Sequence, residues 1–390
     1  MPLLPQIESA ADELTAIFQD LHAHPEIGFQ ESRTAAIVAD LLRSYGVDEV
    51  HTGIAKTGVI GVLRGKGGGN RRVGLRADMD ALPILEDTGL AYASTNPGTM
   101  HACGHDGHTT MLLGAARYLA QTRDFDGTVV LIFQPAEEGM GGARGMIAEG
   151  LFERFPCDEV FGMHNSPNGK PGTFGIRAGA AMAGAAFFDI RIKGRGVHAA
   201  TPHNGRDSLL IAASLAVELQ SIVSRNTPPL ETLVLSVTQL HAGTAYNVVP
   251  ETATLGGTIR YFSDEVFDMA KRRLEEICAG FALAHGVVIE ADVRNAFDVL
   301  VNDAELASAY AAAAADIVGA RNVSENEAPV TGSEDFADML RVVPGAYCRV
   351  GHAGTVPLHN PGFVLDPTVL PVGASIMARL VEVRLPLLVG

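Results

Sequence analysis

Short apolar strands alternate with helical periods along most of this chain, which restricts it to an α/β architecture built on a largely parallel sheet. Residues 8–21 and 31–45 carry helical periodicity, 59–63 and 73–77 read as buried strands, and 109–121 as a helix. A strand at 128–133, a helix at 142–150 and a strand at 159–163 follow. Residues 186–296 break this grammar: a half-exposed strand at 187–193, a helix at 206–225, strands at 233–240 and 253–262, a helix at 264–284 and a strand at 287–293. That β-α-β-β-α-β order is the ferredoxin-like α+β sandwich. Residues 303–319, 333–341, 346–351 and 366–383 then resume the first pattern. The expected organisation is one discontinuous domain from residues 1–185 and 297–390, with a lid or dimerisation domain inserted at 186–296. At 390 residues the chain exceeds the size at which one core keeps growing, as a two-domain division requires.

The chemistry-bearing residues fall at strand exits. Met100 to His108 packs a thiol, Cys103, three imidazoles, His101, His105 and His108, and a carboxylate, Asp106, into one stretch interrupted by Gly104 and placed just before a helix. Thiolate, imidazole and carboxylate are the donors that hold divalent transition metals. Cys103 and His105 are two apart, so an extended segment points both the same way, and Gly104 permits a sharp turn between them. Glu137 and Glu138 follow the strand ending at Phe133, and His164 follows the strand ending at Met163. Ligands of open α/β sheets collect outside the carboxyl ends of strands, where these residues belong. An acidic pair in isolation is usually surface charge, and single histidines such as His164 and His359 are usually structural; their place beside the 100–108 cluster is what marks them.

Composition excludes several classes. A formal charge of −16 opposes a phosphate backbone, so nucleic acid is not an expected partner, and an anionic substrate requires a local basic anchor. The N-terminal stretch from Met1 to Gln6 lacks the basic and apolar regions of a signal peptide, and no apolar run is read as approaching the roughly 20 residues of a membrane span. Cys103, Cys157, Cys278 and Cys348 are scattered without a CxxC pair. A reducing cytoplasm is expected, with Cys103 available as a ligand and the other three as plain buried thiols.

Several blocks in one order carry a family resemblance. They are Asp20 to Phe29 (DLHAHPEIGF), Arg76 to Pro83 (RADMDALP), His101 to His108 (HACGHDGH), Gln134 to Gly139 (QPAEEG), Gly194 to Pro202 (GRGVHAATP), Gly256 to Arg260 (GGTIR) and Thr331 to Phe336 (TGSEDF). Together they resemble the M20 metallopeptidase clan, and more narrowly its amidohydrolase branch of hippurate hydrolases, aminoacylases and auxin-conjugate hydrolases. The resemblance spans nearly the whole chain. It implies two divalent transition-metal ions, Mn, Zn, Co or Ni, held by Cys103, His105, Glu138, His164 and His359, with Glu137 as general base. It also implies an oxyanion donor, His198, from the insert, and a substrate-carboxylate anchor made of Asn247 and Arg260. The wider clan carries His-x-Asp where this chain reads Asp78-Met79-Asp80; Asp80 is expected to orient a ligand rather than be one.

Such a centre activates water between two cations roughly 3.5–4 Å apart, with one glutamate free to move its proton. The activity implied is hydrolysis of N-acyl-L-amino acids, aromatic acyl groups as in hippurate among them, by a homodimer or higher homo-oligomer assembled through the insert. The nearer rival is a dipeptidase or small-peptide carboxypeptidase on the same metals. A non-catalytic metal or conjugate binder has no need of an unligated Glu137, and a redox role lacks a second thiol near Cys103.

Overall fold

The computed structural model describes residues 3–387, so Met1 and Pro2 of the N-terminal stretch lie outside it. The chain divides into two compact units, Met1–Ala181 with Val301–Ala328 and Asp335–Gly390, and Met182–Leu300 with Pro329–Glu334.

The first unit is built on an eight-stranded sheet. Its middle is four parallel strands in the order Thr128–Gln134, Arg72–Asp78, Glu159–Ser166 and Gly345–Gly351. These strands are apolar along almost their whole length, as strands covered on both faces must be. The flanks run otherwise: Gly58–Arg64 pairs antiparallel with Thr128–Gln134, and Glu49–Ile54 pairs antiparallel with Gly58–Arg64. The strand Glu49–Ile54 escapes a search for apolar runs because it is a half-exposed edge. The fourth parallel strand, followed by the loop to His359, returns from the far end of the sequence, so the unit is continuous in space across the insertion.

Helix His105–Thr122 packs between Ala11–Ala23 and Leu370–Arg384 and is almost wholly buried. A Cβ at Gly114 would sit 2.9 Å from Ala374 Cβ, so the missing side chain sets how closely these helices approach. The helix begins at His105, earlier than periodicity suggests, because apolar spacing registers only from Met111 onward. The strand expected to end at Met163 continues to Ser166 and carries His164 within it.

The second unit holds a four-stranded antiparallel sheet in the order Leu233–Ala242, Thr252–Tyr261, Gly184–Lys193, Val288–Phe297, with helices Ser208–Glu218 and Asp264–His285. This is the ferredoxin-like order read from the sequence. One reading is corrected: the helical run Ser208–Asn226 is 19 residues long and apolar enough, by length and composition alone, to cross a membrane. In this unit Ile211, Ala212 and Leu215 are buried, while Leu210 and Val217 are exposed.

A buried guanidinium ties the carboxyl ends of the first unit's strands together. Arg76 Nε donates to Gln134 Oε1 at 2.8 Å, Nη1 to Asp78 Oδ2 at 2.7 Å and Nη2 to Asp335 Oδ1 at 3.1 Å. Removing one partner of such a network leaves uncompensated buried charge. Arg76→Ala should therefore lower unfolding stability by about 3–5 kcal/mol in denaturant titration; a loss under about 1 kcal/mol would mean that water reaches Asp78 and Asp335.

Candidate metal centre

The four parallel strands deliver the donors. Asp80 follows Arg72–Asp78, Glu137 and Glu138 follow Thr128–Gln134, His164 lies near the end of Glu159–Ser166, and His359 follows Gly345–Gly351. Cys103 comes from the loop that enters helix His105–Thr122.

That loop is not extended. Gly104 sits at φ 90°, and a Cβ there would lie 2.4 Å from Asn165 Nδ2, so the turn requires glycine on both counts. Asn165 Nδ2 in turn donates to the Cys103 carbonyl at 2.5 Å. His359 adopts φ 61°, rare for a side chain with a Cβ, and is held there by its N–H donating to Ala102 O at 2.8 Å.

All six residues expected at the metals converge. Cys103, His105 and His164 offer ligand atoms within 4.8 Å of one another, as do Cys103, Glu138 and His359, and again His105, Glu137 and Glu138. Cys103, His105 and Glu138 each belong to two of these groups, so the donors form overlapping sets rather than one cluster. Cys103 Sγ is 3.4 Å from His164 Nε2, and His359 Nε2 is 3.1 Å from Glu138 Oε1. His105 is 1% exposed and His359 53%, so the centre is closed at one end and open at the other.

The surrounding bonds settle which atoms face inward. Asp80 Oδ1 holds His105 Nδ1 at 3.2 Å, and Asp80 Oδ2 accepts the Glu138 N–H at 3.0 Å, so one carboxylate orients two donors. His105 Nε2 is then buried with no hydrogen-bond partner. His164 Nδ1 donates to the Asn165 carbonyl at 2.6 Å, turning Nε2 toward Cys103. A buried imidazole nitrogen with no hydrogen bond among the described residues, its Asp78 Oδ2 neighbour standing off at 3.8 Å, and with a thiol and further carboxylates close by, fits a cation.

Electrostatics agree. Burial pushes the Cys103 thiol up to about 12. Burial, reinforced by His108, pushes His164 well below the ordinary imidazole value and leaves it neutral with a lone pair to give. Burial opposes charge on His105, yet Asp78, Cys103 and Asp80 hold it well above its ordinary value. The adjacent Glu138 carboxylate raises His359.

Asp78, His105 and His108 also cluster, but these side chains have other duties. Asp78 binds Arg76 and His108 Nδ1, the latter at 2.6 Å, and His108 Nε2 accepts the Asn165 N–H at 2.9 Å. Asp106 holds His22 Nδ1 at 2.6 Å. The other imidazole of the 100–108 cluster, His101, is buried with neither ring nitrogen bonded. The duties of Arg76, Asp78, Asp106 and His108 depend on partners tens to hundreds of residues away, and no local pattern announces them. The four cysteines form no disulfide; Cys157 is only partly buried, against the expectation of burial.

His198, Asn247 and Arg260 belong to the second unit. His198 pairs with Val248 across a two-stranded ribbon, where the Ala199 N–H donates to Asn247 O at 2.9 Å, so His198 and Asn247 are neighbours. His198 is exposed, and its Nδ1 accepts the Ala200 N–H at 3.1 Å, which leaves Nε2 as the ring's donor. Arg260 lies apart on Thr252–Tyr261, half-buried, with Nη1 donating to Ser333 Oγ at 2.8 Å and no carboxylate paired to it among the described residues. Burial lowers its pKa.

Residues 74–383 match the family described as Peptidase family M20/M25/M40. The chain belongs to that family. It is 41% identical to a hippurate hydrolase of Campylobacter jejuni over 97% of this chain and 98% of that one. It is 38% identical to an N-acetylcysteine deacetylase of Bacillus subtilis over 94% and 95% of the two chains. Among solved structures, the Bacillus subtilis YXEP protein, titled a dinuclear metal binding peptidase from the M20 family, superposes with a TM-score of 0.85 at 34% identity, covering 98% of this chain and 100% of that one.

Protons and cations should compete at this M20 centre. Without a cation, Cys103 with a pKa of about 12 and His105 with a raised one both hold protons at neutral pH, and a cation must displace them. Affinity for Zn²⁺ should rise with pH between 6 and 8, and calorimetry in buffers of different ionisation enthalpy should register proton release. Affinity independent of pH would remove both residues from the ligand set.

Proposed function

We propose that this M20 protein hydrolyses the amide bond of N-acyl-L-amino acids at a pair of divalent transition-metal ions, releasing a carboxylic acid and the free amino acid. The observation that carries this reading is the overlap of the donor sets: Cys103 is shared by two groups, with His105 and His164 on one side and Glu138 and His359 on the other. The names of relatives at 41% and 38% identity supply the substrate class, with hippurate-like and N-acetyl amino acids foremost.

Cys103, His105, Glu138, His164 and His359 would hold the cations, and a mixed thiolate, imidazole and carboxylate set suits Zn, Co, Ni or Mn. When bound, such cations supply Lewis acidity toward the amide carbonyl and acidify water. Glu137, 6% exposed, takes the proton of the attacking water on a carboxylate oxygen and returns it to the leaving nitrogen. A carboxylate committed to a cation makes a poor base, so adjacent glutamates divide the work. The Nε2–H of His198 serves the tetrahedral oxyanion. Arg260, a half-buried cation with no acidic partner among the described residues, takes the substrate carboxylate, and Asn247, which neighbours His198 rather than Arg260, contributes a second polar contact to it.

The inserted unit also serves as the lid and dimerisation module of a homo-oligomer. Its sheet ends on the strand Leu233–Ala242, an edge with exposed Val234 and Leu240 that suits pairing with a second copy. A reducing cytoplasm suits a protein whose ligand thiol works only while reduced.

Glu137→Gln should retain near-normal metal and lose ~10²–10⁴-fold in kcat, whereas Glu138→Ala should lose metal. Metal analysis that finds Glu137→Gln to be the depleted variant reverses the assignment. Arg260→Ala should lose on the order of 2–5 kcal/mol in kcat/KM for N-benzoylglycine, and much less for its uncharged amide. Equal losses on the two substrates would free Arg260 from the carboxylate.

A further inference from the structure

Glu31 is a fully buried carboxylate with no part in the chemistry above. It stands at the start of helix Ser32–Tyr45 and reaches two other segments. Its Oε2 accepts the Thr57 hydroxyl at 2.6 Å, from the turn before strand Gly58–Arg64. Its Oε1 accepts the Ala136 N–H at 2.8 Å. Ala136 precedes Glu137 and sits at φ 55°, a conformation that costs an alanine on the order of 1–3 kcal/mol and persists only where the surroundings impose it. Three contacts impose it: the Glu31 bond to its N–H, the Gly142 N–H donating to its carbonyl at 3.0 Å, and Gly28, where a Cβ would lie 2.9 Å from both Ala136 Cα and Cβ. Gly28 and Glu31 thus grip Ala136 from one short segment.

The amide on the other side of Glu137 is held in the same way, since Glu138 N–H donates to Asp80 Oδ2 at 3.0 Å. Glu137 therefore hangs between two amides, each anchored to a buried carboxylate. Desolvated acceptors of this kind are rigid, because leaving either N–H unpaired costs about 1–3 kcal/mol.

We infer that Glu31, with Gly28, is a positioning residue for the amide hydrolysis proposed above: it fixes the left-handed turn at Ala136 and so aims the Glu137 carboxylate, without touching metal or substrate. The inference rests on the assignment of Glu137 as base, but its structural half stands apart from activity. Misplacing a catalytic group by an ångström costs up to ~10²-fold in rate.

The test compares Glu31→Ala, Glu31→Gln and Gly28→Ala in the full-length protein, reading metal content, kcat and KM on N-benzoylglycine, and amide hydrogen exchange of the peptide spanning 134–142. Gln can accept from Ala136 through its carbonyl and donate to the Thr57 hydroxyl through its amide, so Glu31→Gln should keep slow exchange and kcat within a few-fold of wild type. Glu31→Ala should keep its metal and its KM, lose ~10–100-fold in kcat and exchange faster at 134–142. Gly28→Ala, which pushes Ala136 from the opposite side and leaves Glu31 intact, should do the same, and it decides the matter if Glu31→Ala does not fold. Exchange at 134–142 unchanged in the alanine variants overturns the inference whatever the activity, as does a Gln variant as impaired as the Ala variant. A wild-type protein that cleaves no N-acyl amino acid would instead overturn the proposed function, with exchange still deciding the role of Glu31.

Discussion

One buried guanidinium holds the working end of the first unit together. Arg76 bonds to Gln134 on the neighbouring strand, to Asp78 two residues along its own, and to Asp335 just before helix Phe336–Leu340. Buried carboxylates tolerate such an interior only when paired, so Arg76 makes Asp78 and Asp335 possible. Asp78 then fixes His108 and, through its carbonyl, Thr109, which seats the first turn of helix His105–Thr122. The segments leaving these strands, 79–80 and 135–138, start from positions that this network allows little freedom.

What those segments carry follows. Asp80, one residue beyond Met79, turns its two oxygens to His105 and to the amide of Glu138, and so converts strand geometry into donor geometry. The result is an interior that is poorly satisfied without a cation: an imidazole nitrogen on His105 that makes no hydrogen bond among the described residues, a neutral His164 and a thiol that burial keeps protonated. Proteins bury such groups together when a metal completes them. The strain at Ala136 and His359 lies at the same place, as expected where function rather than stability chose the backbone.

Much of this was legible in the sequence, for a physical reason. Strand and helix periods, the ferredoxin-like order of the insert and the density of donors at 100–108 are local properties, and local properties show in a one-dimensional pattern. The limits were local as well. The polar edge strand Glu49–Ile54 has no apolar run, the helix start at His105 depends on Gly104 meeting Asn165, and the helical run Ser208–Asn226, read at 206–225 as amphipathic, is more uniformly apolar than that reading allowed. Arg76, Asp78 and Asp106 stood in the recurring blocks without a visible duty, and Glu31 outside them, because their meaning lies in partners such as Asp335 or Ala136, more than a hundred residues off in places. The recurring blocks of an M20 chain mark where the chemistry is, whereas the braces behind it appear only in three dimensions.

The overlapping donor sets around Cys103 should hold a pair of cations. Anomalous diffraction from crystals loaded with Mn²⁺ or Zn²⁺ tests it most directly. Two peaks roughly 3.5–4 Å apart are expected, one beside His105 and His164, the other beside Glu138 and His359, with Cys103 between them. A single peak, or peaks away from Cys103, would contradict it.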